Sequence, residues 1–197
     1  EAIIISRPLD TYRQETWHLV DGAPVKLTLP SRLSIYGTSA GLLIFSPDEA
    51  WTYRGRAVAA GSLQACPPNV LRENSRIISN QANEVFAPTA RQSIGDVALF
   101  SDRVVVAIND NVRGRLSIFV NQGEWGWQVR DVVVPDNSDI SLGDSSKSSG
   151  ELFVSSQNFL TPTSLGQLNV NFPTTRMDAS RASPNRIQPL RSAPALF

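Results

Sequence analysis

The 197-residue sequence contains one cysteine, Cys66, and one histidine, His18. A single cysteine excludes an intrachain disulfide and every multi-cysteine zinc site. A single histidine excludes paired-histidine metal sites and leaves one imidazole as a candidate base. Long apolar runs are missing as well. The longest, such as Gly41-Leu-Leu-Ile-Phe45, are strand-sized, against about 20 residues for a membrane span, so no membrane partner is expected. No secretory signal and no Asn-x-Ser/Thr sequon occurs. Lysine is scarce: Arg outnumbers Lys 16 to 2, a bias that suits buried and interfacial ion pairs. Basic and acidic residues balance at 18 each, which argues against a chain that coats a polyanion.

Catalytic signatures are absent too. There is no phosphate loop and no dinucleotide fingerprint. His18 follows Trp17, where packing is the ordinary role, and Cys66 next to Pro67-Pro68 has no basic neighbour to make a thiolate. Six of the acids sit at turn positions (Asp21, Asp48, Asp110, Asp136, Asp139, Asp144), where Asp is favoured for backbone reasons. Two of them could pair for glycoside hydrolysis, a separation that sequence does not measure. Asp136-Asn-Ser-Asp139 offers oxygens to calcium but lacks the spacing of a calcium loop. No residue stands out as catalytic, cofactor-binding or metal-ligating, and neither a cofactor nor enzyme activity is expected.

What is present is turn chemistry and short alternating runs. Gly 12 and Pro 13, with many Ser and Asn, punctuate strand-sized segments. The first 22 residues show no clean period. Strand candidates then follow at Val25–Leu29, Leu33–Tyr36, Leu42–Phe45, Trp51–Ala60, Val97–Phe100, Arg103–Ile108, Arg115–Val120, Trp127–Val134, Glu151–Ser156 and Gly166–Phe172. One helix is predicted over Asn69–Ser79, where Val70, Leu71, Ile77 and Ile78 recur at a separation of seven after Pro67-Pro68. Ser138–Gly150 reads as a long polar surface loop. So many half-apolar strands are buried most simply in two stacked antiparallel sheets. The expected fold is all-β: a single antiparallel jelly-roll β-sandwich with one short helix and an irregular C-terminal tail. Its expected parts are an N-terminal arm and first strand region (1–22), the jelly-roll domain (23–172) and a Pro- and Arg-containing tail (173–197).

Two residue groups stand out as candidate contacts. Arg176, Arg181, Arg186 and Arg191 fall every fifth residue in the tail, with Asp178 its only acid. They are candidate contacts to a partner or to RNA. Trp51, Trp125 and Trp127 are candidate interface or stacking aromatics; at a spacing of two, Trp125 and Trp127 would share one face of a strand.

The second half has a distinctive order: Trp125-Gly-Trp-Gln-Val-Arg-Asp-Val-Val-Val134, the turn Pro135-Asp-Asn-Ser138, a polar loop, the strand Glu151–Ser156, the loop Asn158-Phe-Leu-Thr-Pro162, the strand Gly166–Phe172, and a Pro-rich tail. This resembles the small coat protein of plant picorna-like viruses (secovirids, the comovirus and fabavirus group). The start at Glu1 without Met, with Met177 the only methionine, fits cleavage from a polyprotein. The resemblance implies a structural subunit of an icosahedral capsid of an RNA virus. Its partners would be a larger coat protein and copies of itself, with weak non-specific contact to genomic RNA. Its location would be the virion, and the host cytoplasm during assembly. The alternative is a carbohydrate-binding or adhesin-like β-sandwich module that uses Trp51, Trp125 and Trp127.

Overall fold

A computed structural model describes residues 2–73, 75, 83–160 and 162–171. Its strands form successive antiparallel meanders rather than two crossed sheets. The first sheet is β1 (Ile3–Pro8), β2 (Gln14–Val20) and β3 (Ala23–Lys26). The second sheet contains β4 (Leu33–Ser39) and β5 (Leu42–Pro47). A separate hairpin follows, β6 (Trp51–Tyr53) with β7 (Arg56–Val58), and then β8 (Leu63–Cys66) and β9 (Asn83–Phe86) complete the second sheet. The third is β10 (Gln92–Leu99), β11 (Arg103–Asp110), β12 (Arg113–Asn121) and β13 (Trp127–Val132). The fourth is β14 (Asp139–Ser146), β15 (Glu151–Gln157) and β16 (Ser164–Asn169).

Local chemistry makes the hairpins. Asp21-Gly22, Ala40-Gly41 and Arg54-Gly55 each have positive φ at both residues and close two-residue loops. That backbone twist matches the twist of the flanking strands. The stretch 51–60 is thus a hairpin turned at Arg54-Gly55, not one interrupted strand. Asn111 (φ 56°) similarly tightens the β11–β12 connection to two residues, shorter than the gap left between the strand candidates Arg103–Ile108 and Arg115–Val120.

Three apolar layers lie between consecutive sheets. Ile4, Leu27, Leu33, Leu43 and Phe45 belong to the layer between the first and second. Ile44, Leu63 and Ala65 meet Val104, Val106 and Phe119 between the second and third. Val105, Leu116, Ile118 and Val120 meet Ile140, Leu152, Val154 and Leu168 between the third and fourth. β11 therefore buries both faces, with Val104 through Ile108 all inside. A two-sheet sandwich solvates the outer face of each sheet; the central strands of the second and third sheets here have no such face.

The all-β expectation holds, and the single jelly roll does not. Alternating polarity reveals a strand and its buried face, but not how many sheets stack or in what order. Of the predicted helix, residues 69–73 are turns, with Arg72 bridged to Leu27; among the described residues the one helical element is the short 3-10 turn Gly123–Trp125. The expected loop 138–150 contains β14, whose Ile140 and Leu142 pack inward among serines.

Candidate functional site

Sequence singled out two sets of residues. Arg176, Arg181, Arg186 and Arg191 lie outside the described residues. The three tryptophans are separated rather than combined. Trp51 is half-buried, stacked on Tyr53 (centroids 5.0 Å apart) and edge-on to Phe45 (6.1 Å), inside the layer between the first two sheets. Trp127 opens β13 and packs against the next layer. Trp125 is 92% exposed at the end of the 3-10 turn. Gly126 at φ 82° breaks the strand between them, so Trp125 and Trp127 do not share a strand face. The Gln122 N–H donates to the Gly126 carbonyl at 2.8 Å, which pins the turn.

Neither lone titratable group is set up as a nucleophile or base. His18 Nδ1 lies 3.3 Å from an Arg72 guanidinium nitrogen, and burial, then that cation, lowers its pKa. Cys66 is in the core, where burial pushes its thiol up to about 12. Around Pro135–Ser138, the Asn137 side chain accepts from Arg113 at 3.2 Å, and the Ser138 hydroxyl accepts from Asn158 at 3.3 Å.

Topology places other residues together. β4, β10 and β14 are the first strands of three consecutive sheets, each is an edge strand, and β10 packs beside the other two. Each takes one extra residue against its neighbour: at Tyr36 between Ile35 and Gly37, between Ile94 and Val97, and between Leu142 and Ser145. Such bulges bend a strand and leave backbone groups out of the ladder. The three converge on a cavity of about 450 Å3. Asp96 crosses from one sheet to the next, its Oδ2 accepting from the Leu142 N–H at 3.0 Å. Tyr36 is half-buried, and burial first, then the charges of Asp48 and Asp96, raise its phenol pKa.

Sequence reading did not single out this wall, although a signal exists. Ile94-Gly95-Asp96 and Leu142-Gly143-Asp144 are a short repeat, one sheet apart. Self-similarity at the spacing of a structural unit marks repeated architectures, and one four-stranded meander per unit is the form of a propeller blade.

A family model described as "Prolyl oligopeptidase, N-terminal beta-propeller domain" matches residues 65–179, more than half of the chain. The chain belongs to this propeller family. Among its relatives is an uncharacterized peptidase, y4nA, of Sinorhizobium fredii, 28% identical over 169 residues, which are 81% of this chain and 22% of that protein. A post-proline cleaving enzyme from Rickettsia typhi has the same fold, with a TM-score of 0.74 and 22% identity over 84% of this chain and 24% of that one. The chain thus spans under a quarter of the length of these two relatives.

Propeller membership corrects the coat-protein resemblance and what followed from it. Capsid assembly, a larger coat-protein partner, RNA contact and a virion location are all overturned by a peptidase-domain family and peptidase relatives. The carbohydrate-binding alternative has no support from them either. The expectation of no enzyme is corrected as well, because the relatives are named as peptidases. The two folds share an order of elements over this half of the chain. A last strand (β13), a turn, and then β14, β15 and β16 are what a step from one blade to the next produces, and the closing strands of a jelly roll show the same order in one dimension.

Proposed function

We propose that this chain is an arc of the N-terminal propeller of a peptidase that cleaves after proline. In this reading it walls the path by which peptides reach a catalytic centre formed by another part of the longer polypeptide. The observation that carries it is the burial of both faces of β11, with sheets stacked in chain order through three apolar layers. That stacking aligns the first strands β4, β10 and β14 side by side, the position that lines the central channel of a propeller. Bulges and exposed polar groups on those strands give a wall that a hydrated peptide can move along.

The test is hydrolysis of peptide p-nitroanilides by the full gene product that carries these residues. Cleavage after proline and not after alanine, altered or lost when residues 1–197 are deleted, is the expected result. Hydrolysis without a proline preference would sink the reading.

A further inference from the structure

The cleft between β4, β10 and β14 combines features that walling a path does not require. A carboxylate, Asp96, and an ammonium, Lys147, line one cavity of about 450 Å3, within the 300–1,000 Å3 typical of small-ligand sites. Neither takes part in the ion pairs found among the described residues. Asp96 is held in place by the Leu142 N–H through one oxygen, which leaves the other free to accept. The Tyr36 phenol stays protonated, since burial and the nearby acids raise its pKa, and so remains a donor. Leu99 and Leu142 supply an apolar lining. The bulges at Gly95-Asp96 and Gly143-Asp144 leave backbone amide groups without ladder partners.

Packing accounts for two of the cleft's glycines. A Cβ at Gly37 would come within 3.1 Å of Leu99 Cδ1, and one at Gly95 within 3.2 Å of the Ala107 carbonyl oxygen. It does not account for Gly143, where a Cβ would meet nothing closer than 3.5 Å.

A simple anion would be repelled by Asp96 and a simple cation by Lys147. A molecule bearing both charges can pair with both, and a peptide unit between them offers an amide to the bulged backbone. We infer that this cleft binds a small zwitterion of dipeptide size, its ammonium on Asp96 and its carboxylate on Lys147. The inference rests on the geometry of the wall and does not need the peptidase reading.

Amide spectra of the full 197-residue chain, titrated with Ala-Ala, N-acetyl-Ala-Ala, Ala-Ala-amide and alanine, test it. Ala-Ala should shift the amides of residues 95–97 and 142–145 and saturate. Blocking either end should weaken binding about tenfold, as expected for the loss of one charge-assisted contact. Asp96→Asn keeps an acceptor for the Leu142 N–H and should erase the difference between Ala-Ala and its acetylated form. Lys147→Gln, at an exposed turn position, should erase the difference from the amide; the dispersion of the same spectra reports whether each variant is folded. No shifts up to about 20 mM, a very weak affinity, or equal shifts from blocked peptides, would overturn the site. Alanine binding as tightly as Ala-Ala would overturn its dipeptide size. Failure here would leave proline-specific hydrolysis by the gene product untouched.

Discussion

Gly114 shows how one side chain can be forbidden by sheet stacking alone. Its φ is not positive, so backbone conformation does not demand glycine. A Cβ there would lie 2.5 Å from the Ser138 carbonyl oxygen and 2.6 Å from Ile140 Cγ1, where β12 meets the start of β14. Gly114→Ala should therefore destabilise the fold by about 1–3 kcal/mol, the usual range for overpacking; an unchanged urea midpoint would contradict the close approach. His18 gives a pH signature. Its pKa is lowered by burial and by Arg72, so the unfolded state binds the proton first. Stability is then full above the unfolded value of about 6.5 and falls as pH drops through that value toward the lower folded one. Asp10, stabilised as a carboxylate first by the Tyr12 N–H, and Glu15, held first by Lys26, also have lowered pKa values, and their stabilisation is lost at lower pH, below the ordinary carboxylate range. Unfolding midpoints followed between pH 7.5 and 5.5 should slope downward in the parent and much less in His18→Gln; equal slopes would remove the assignment.

At the scale of the element, β11 discriminates between architectures. Val105 faces the third–fourth layer and Val106 the second–third layer, and both are fully buried. Val105→Ala and Val106→Ala should each cost roughly 2 kcal/mol, the transfer of two methyl groups plus a cavity contribution. In a two-sheet sandwich one of the pair would be nearly neutral, and denaturant titration separates the two cases. The Trp125–Trp127 segment makes a parallel point. Identical residues two positions apart have unlike environments because a glycine in the left-handed region ends the turn between them. Trp125→Ala should change stability by no more than about 0.5 kcal/mol, whereas Trp127→Ala, half-buried against the second–third layer, should cost clearly more.

At the scale of the whole molecule, the stack ends in two faces. Ile3 and Ile5 on β1 are 55% and 42% exposed, and Phe153 and Leu165 on the fourth sheet are 41% and 54% exposed. Both are apolar faces of the kind that each internal sheet buries against its neighbour. Such surface drives association in water. The 197-residue chain on its own should self-associate with rising concentration, and Ile5→Lys with Phe153→Lys should suppress this in sedimentation. A concentration-independent monomer in the parent would show that these faces need no cover.

Much was determined by the sequence alone, because it depends on neighbours in the chain. The β class, most strand positions, the burial of Cys66, and the turn chemistry at Asp21-Gly22 and Gly41 are all local. β14 escaped because Ile140 and Leu142 stand among serines and aspartates, so its alternation is short and its polarity reads as loop. The 69–79 segment failed the other way: apolar residues seven apart fit a helix, yet Val70 and Leu71 are buried from a turn, beside the bridge of Arg72 to Leu27. The order of sheets, the double burial of β11 and the meeting of Tyr36, Asp96 and Lys147 were decided only by tertiary structure. Those three residues are far apart in the chain and exposed or half-buried, so no periodicity or composition marks them. A strand's pattern records that a face is covered, while which sheet covers it depends on contacts between residues distant in sequence.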